Sequence, residues 1–148
     1  MKIFPLLLAI VVGAILPIQA TFNAKMAKFA ASPVLAALLS FVTGMIALIL
    51  YALFTQPDLR AQLVSTKQAP FYVWLAGIMG AFYVVGSISL LPRLGVALTF
   101  SLIIAGQMLV TIVVDHYGLM DVPVKMINLP RVIGILLIIG GVILIRKY

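Results

Sequence analysis

The chain has no cysteine and no glutamate, only three aspartates, one histidine and one tryptophan in 148 residues. Without cysteine there are no disulfides, no thiolate nucleophile and no cysteine-containing metal site. Neither an H-E-x-x-H nor a G-x-S-x-G pattern is present, and the single histidine, His116, falls at the end of an apolar run, so an intramembrane enzyme is not indicated. Asp115 beside it cannot serve as its partner on a helix, because sequence neighbours point about 100° apart. Rings of charge and a repeated carbonyl-filter motif are also lacking, which argues against an ion channel. The net charge of +7 does not mark a nucleic-acid binder, since the ten Lys and Arg lie singly or in pairs beside apolar runs rather than in a stripe. No metal or other cofactor is expected.

Hydrophobic residues make up 65% of the chain, charged residues 9%, and the mean hydropathy is +1.30. That composition belongs to a membrane protein. We expect an all-α fold in a single transmembrane domain over residues 1–148, with spans at 3–29, 33–54, 70–91, 96–115 and 130–145.

Lys2, an apolar run and the small Ala20 imitate a signal peptide, but the polar side formed by Pro17, Gln19 and Asn23 points instead to a true first span. Gln19 and Asn23, at i and i+4, share a face that either bonds a neighbouring helix or lines a cavity. Ser32 and Pro33 predict a tight cap and start for the second span, in which Ala36, Ser40 and Gly44 form a small-residue packing seam. Residues 55–69 form a polar connector in which LRAQL is a candidate interfacial turn. Phe71, Tyr72 and Trp74 open the third span as an aromatic belt, and Gly80, Tyr83 and Ser87 share one face of it. The short turn from Leu91 to Gly95 makes the third and fourth spans antiparallel neighbours.

The fourth span carries the main polar signal: Gln107, Thr111 and Asp115 recur every four residues, with Gly106 removing bulk beside the amide. A group of this kind in hydrocarbon needs another helix or a wet cavity. Asp115 is either a coupling acid or a helix-end carboxylate paired with Lys125 or Arg131. In the last span Gly134 and Gly141 lie on one face with Gly140 at its margin, and no polar side chain competes, so this helix is suited to packing.

Five spans would place Lys2, Arg60, Lys67, Lys125 and Arg131 on one side of the membrane and Lys25, Lys28, Arg93, Arg146 and Lys147 on the other. Such balance gives no orientation preference, as in a chain inserted both ways, although balance can also arise by chance in a chain with one orientation.

QATFN at 19–23, GIMGAFYV at 77–84, LPRLGVALT at 91–99, GQ at 106–107, DHYG at 115–118 and GILLIIGGVIL at 134–144 together resemble the YdcZ family, five-helix bacterial proteins of the drug/metabolite transporter superfamily. The resemblance implies one repeat of an inverted pair, completed by an antiparallel homodimer in the bacterial inner membrane. The glutamate that couples cations to protons in the first helix of small multidrug-resistance relatives has no counterpart here. The resulting expectation is a transporter of small polar metabolites or drug-like solutes, working by alternating access, with Gln19, Asn23, Tyr83, Ser87, Gln107 and Thr111 around the solute. A non-transporting scaffold or assembly subunit is the alternative.

Overall fold

The computed structural model describes residues 3–148; Lys2, counted above on the amino-terminal side, lies outside them. Five α-helices follow in order: α1 (Ile3–Ala30), α2 (Pro33–Thr55), α3 (Leu59–Ser65), α4 (Leu75–Tyr117) and α5 (Leu129–Lys147). Four apolar helical runs are long enough to cross a membrane: Ile3–Ala30, Pro33–Thr55, Phe71–Tyr117 and Leu129–Lys147. Large apolar side chains along them stand exposed, among them Ile10, Leu48, Phe82 and Leu137. This distribution suits lipid or a second protein surface, not water. The chain divides into two compact units, one ending at Pro92 and the other spanning Arg93–Tyr148.

In the first unit α1 and α2 are joined by the predicted tight connection. The Ser32 hydroxyl accepts the Leu35 N–H at 3.2 Å, Pro33 occupies the first turn, and Ala31 takes a left-handed φ of 51°. The core is small: Ala36, Ala37 and Ile88 are buried, with Ala27, Val84 and Val85 packed around them. Small residues let backbones approach closely where lipid supplies no hydrophobic drive. The packing seam predicted on α2 is therefore only partly one, since Ala36 enters this core whereas Ser40 and Gly44 line a cavity. The LRAQL stretch forms the seven-residue α3.

The sequence predicts two helices at 70–91 and 96–115. After a 3-10 turn at Phe71–Trp74, two helical stretches lie within Leu75–Tyr117, together called α4, and the break between them falls at Gly95, the residue that leaves helical geometry. Pro92 lies inside the first stretch, three residues before the break, and it withholds one backbone N–H from the helix there. Gly95, at φ 76° and ψ 169°, sits in a region open essentially to glycine alone. A straight helix over the 47 residues Phe71–Tyr117 would extend about 70 Å, more than twice a hydrocarbon core about 30 Å thick. The break at Gly95 leaves two arms of about 20 residues, each matched to one bilayer.

In the second unit the far arm of α4 leads through Gly118, at φ 60°, into a turn where Met120 and Asp121 also take positive φ. Gly118 is required there twice over, because a Cβ would lie 2.7 Å from Val124 Cγ2 and 3.2 Å from the Val122 carbonyl oxygen. Asn128 caps α5 by accepting the Arg131 N–H at 3.1 Å. Gly134, Gly140 and Gly141 are half-buried, and among the described residues no atom beyond their chain neighbours and own helix backbone lies within 4 Å of where their Cβ atoms would be.

Candidate functional site

The first unit carries an open-sided cavity of about 560 Å³. Most of its wall is one face of α2, including Ser40, Phe41, Gly44, Met45 and Ala52, and the wall is completed by Gln19 of α1, Val84 of α4 and Leu59 and Leu63 of α3. Residues spaced by three and four on α2 line it because they fall on one helical face. The Phe41 ring stands beside Gly80, where a Cβ would lie 3.7 Å from it in ordinary van der Waals contact.

The cavity is polar at one end. From Ser40 to Ala52 it follows α2 for about 18 Å at 1.5 Å per residue. Gln19 lies eleven residues before the end of α1 and Gly44 eleven after the start of α2, so both stand near mid-span, with Ser40 one turn away. Ala52, Leu59 and Leu63 line the other end, where α3 follows the terminus of α2. No charged side chain lines the wall. An ion would find no partner in it.

The hydroxyls divide into two groups. Ser87 donates to the Val84 carbonyl at 2.9 Å and Thr111 to the Gln107 carbonyl at 2.7 Å, as do Thr21, Thr43, Ser89, Thr99 and Ser101 to carbonyls of their own helices. Their donor capacity is met. Among the described residues, the side chains of Gln19, Asn23, Ser40 and Gln107 make no hydrogen bond, and the buried Tyr83 hydroxyl has no partner. Of the residues expected around a solute, Gln19 lines the cavity; Asn23 and Ser87 are buried, Tyr83 is half-buried, and Gln107 and Thr111 are exposed on the far arm of α4.

Asp115 is held in a different kind of arrangement. Its carboxylate accepts Arg131 Nη2 at 2.9 Å, Arg131 Nη1 donates to the Lys125 carbonyl at 3.0 Å, and the Lys125 N–H donates to the Asp115 carbonyl at 2.8 Å. His116 Nδ1 accepts the Ile127 N–H at 3.3 Å while its ring meets Tyr117 edge-on at 4.8 Å. These contacts tie the loop between α4 and α5 to the end of α4. The partner is the Arg131 that the sequence offered as one of two alternatives to a coupling role.

Sequence reasoning missed Ser40, Phe41, Met45, Leu59 and Leu63 as cavity residues. Ser40 and Gly44 read equally well as a packing seam, and nothing local distinguishes a small residue that admits a helix from one that leaves a void. Leu59 and Leu63, at i and i+4 in a short polar connector, were the available signal: two leucines on one face there need something apolar to cover.

A sequence profile described as "Putative inner membrane exporter, YdcZ" matches residues 4–144. The chain is 25% identical over 139 residues to "Inner membrane protein YdcZ" of Escherichia coli (strain K12), covering 93% of this chain and 92% of that one. No solved structure matches the chain.

Proposed function

Because the chain belongs to the YdcZ family of inner membrane proteins, we propose that it exports drug-like solutes across the bacterial inner membrane, two inverted copies alternating access to one solute path. It is a multi-pass inner membrane protein, and the family is described as one of exporters, not of enzymes. The observation that carries the solute reading is the cavity of about 560 Å³ among membrane-crossing helices, with the uncharged amide of Gln19 in its wall. Its largely apolar wall favours the drug-like half of the sequence expectation over small polar metabolites. The five-to-five division of Lys and Arg supports an antiparallel homodimer, with the open faces of Gly134 and Gly141 as its packing strip. Gln107, exposed on α4, is assigned to solute movement and Asn23 and Tyr83 to its surroundings, whereas the Ser87 and Thr111 hydroxyls, bonded within α4, serve the helix itself.

The test is solute efflux from proteoliposomes with and without an imposed pH gradient, screened over a panel of drugs and metabolites. Gln107→Ala should stop movement and Asp115→Asn should leave downhill flux largely intact, because Asp115 is already paired with Arg131. Gradient-driven accumulation lost in Asp115→Asn would make the acid a coupling group. Absence of flux from well-assembled protein would favour the scaffold reading. Reporters fused to the carboxyl terminus, one active inside and one outside the cell, should both give signal if the chain inserts both ways.

A further inference from the structure

We propose that the cavity beneath α3 binds one class of ligand: an elongated, uncharged amphiphile whose hydrogen-bonding group points to mid-membrane and whose apolar body extends toward α3. The inference rests on the exporter reading for its biological use, but the site is defined independently by its lining.

Three observations carry it. The polar side chains are confined to one end, where Gln19 and Ser40 make no hydrogen bonds while the other serine and threonine hydroxyls of the spanning helices named above give theirs to their own backbones. Ser40 stands out further because Thr43, one turn along on the same helix, donates to both the Leu39 and the Ser40 carbonyls. An amide with two donors and an acceptor, beside a free hydroxyl, can receive an alcohol, amine, amide or carbonyl.

The lining holds no Lys, Arg, His or Asp, so a permanently charged ligand would be buried without a counter-ion. Phe41 and Met45 supply a polarisable wall for a planar apolar body.

The polarity also runs opposite to that of a bilayer lipid. A phospholipid keeps its headgroup at the interface and its chains at the centre, whereas here the hydrogen-bonding groups are near mid-span and Leu59 and Leu63 lie at the end of α2. A lipid in its normal orientation would leave Gln19 and Ser40 unpaired against hydrocarbon. A volume of about 560 Å³ lies within the range of drug-sized pockets.

The test uses the full chain in nanodiscs and two dyes with the same aromatic skeleton: N-phenylnaphthylamine, uncharged with one N–H, and anilinonaphthalene sulfonate, which adds an anion. Saturable fluorescence binding is measured against empty nanodiscs. Wild type should bind the uncharged dye and not the sulfonate. Gln19→Leu should weaken binding several-fold, and Leu63→Trp, filling the cavity from the short α3, should weaken it at least tenfold. Leu53→Trp, on α2 but outside the lining and 63% exposed, should bind as wild type does and controls for added bulk.

A second readout uses the absence of native cysteine. In Ser40→Cys, a near-isosteric change, the single thiol should react with an uncharged maleimide and be protected by the uncharged dye. Equal binding of both dyes, binding unmoved by Leu63→Trp, or a thiol at position 40 that the dye does not protect overturns the proposal. So does co-purified phospholipid that protects the thiol while the dye does not, or protection that needs only a second copy of the chain. Flux that the uncharged dye fails to inhibit overturns this ligand class and leaves the exporter reading standing. Binding without flux does the reverse.

Discussion

In the unit Arg93–Tyr148, polar groups are largely paired close to home: Asp115 with Arg131, Arg131 with the Lys125 carbonyl, His116 with the Ile127 N–H, and Thr99, Ser101 and Thr111 with carbonyls of their own helix. In the unit ending at Pro92, Gln19 and Ser40 face a cavity without partners and the Tyr83 hydroxyl is buried alone. Both units place polar atoms among apolar helices, and the difference is what those atoms have left to offer. A group whose bonds are closed holds shape. A group whose bonds are open, in a medium with no water to close them, carries a standing cost that a ligand or a second subunit can relieve. Polarity along a membrane helix therefore does not mark a binding site by itself: Ser87 and Thr111 looked as promising as Gln19 until their hydrogens were accounted for.

The largest effect should come from the break that separates the two arms of α4. Gly95→Ala forces a Cβ into a backbone region that costs about 2 kcal/mol for a residue other than glycine, so thermal unfolding in detergent should shift down by several degrees. An unchanged melting temperature would mean that the helix can pass this point in another geometry, and the division into two arms would lose its fixed boundary.

A smaller effect should follow from opening the paired cluster of the second unit. Arg131→Met should cost about 1 kcal/mol, because the Asp115 and Arg131 side chains retain 18% and 30% exposure and solvent screens part of their attraction. In a double-mutant cycle with Asp115→Asn the two losses should be less than additive. Strict additivity would show that the pair is not coupled and that this cluster is no more closed than the cavity end.

The smallest effects sharpen the comparison from the other side. Ser87→Ala and Thr111→Val remove hydroxyls already spent on their own helices, so stability should change by less than about 0.5 kcal/mol and solute flux little. A loss of flux in either variant while stability holds would place that hydroxyl among the groups that meet solute and erase the distinction drawn here.

Much of the chain followed from sequence because its causes are local or compositional. Apolar runs of bilayer length define the spans, Ser32 with Pro33 sets the start of α2, and the unpaired charges stay out of the hydrocarbon. Those terms act within a few residues, and the sequence carries them in full. The sequence also offered Arg131 as a partner for Asp115, but with Lys125 as an equal alternative, since only the path of the intervening loop decides which cation arrives. The join between the third and fourth expected helices was legible to within a few residues: the sequence placed it over Leu91–Gly95, and the structure breaks at Gly95, past Pro92. For the cavity the sequence offered little beyond Leu59 and Leu63 on one face of the polar connector. Ser40 and Gly44 have the same size whether a neighbouring backbone fills the space beside them or leaves it open, and packing between separate helices determines which occurs.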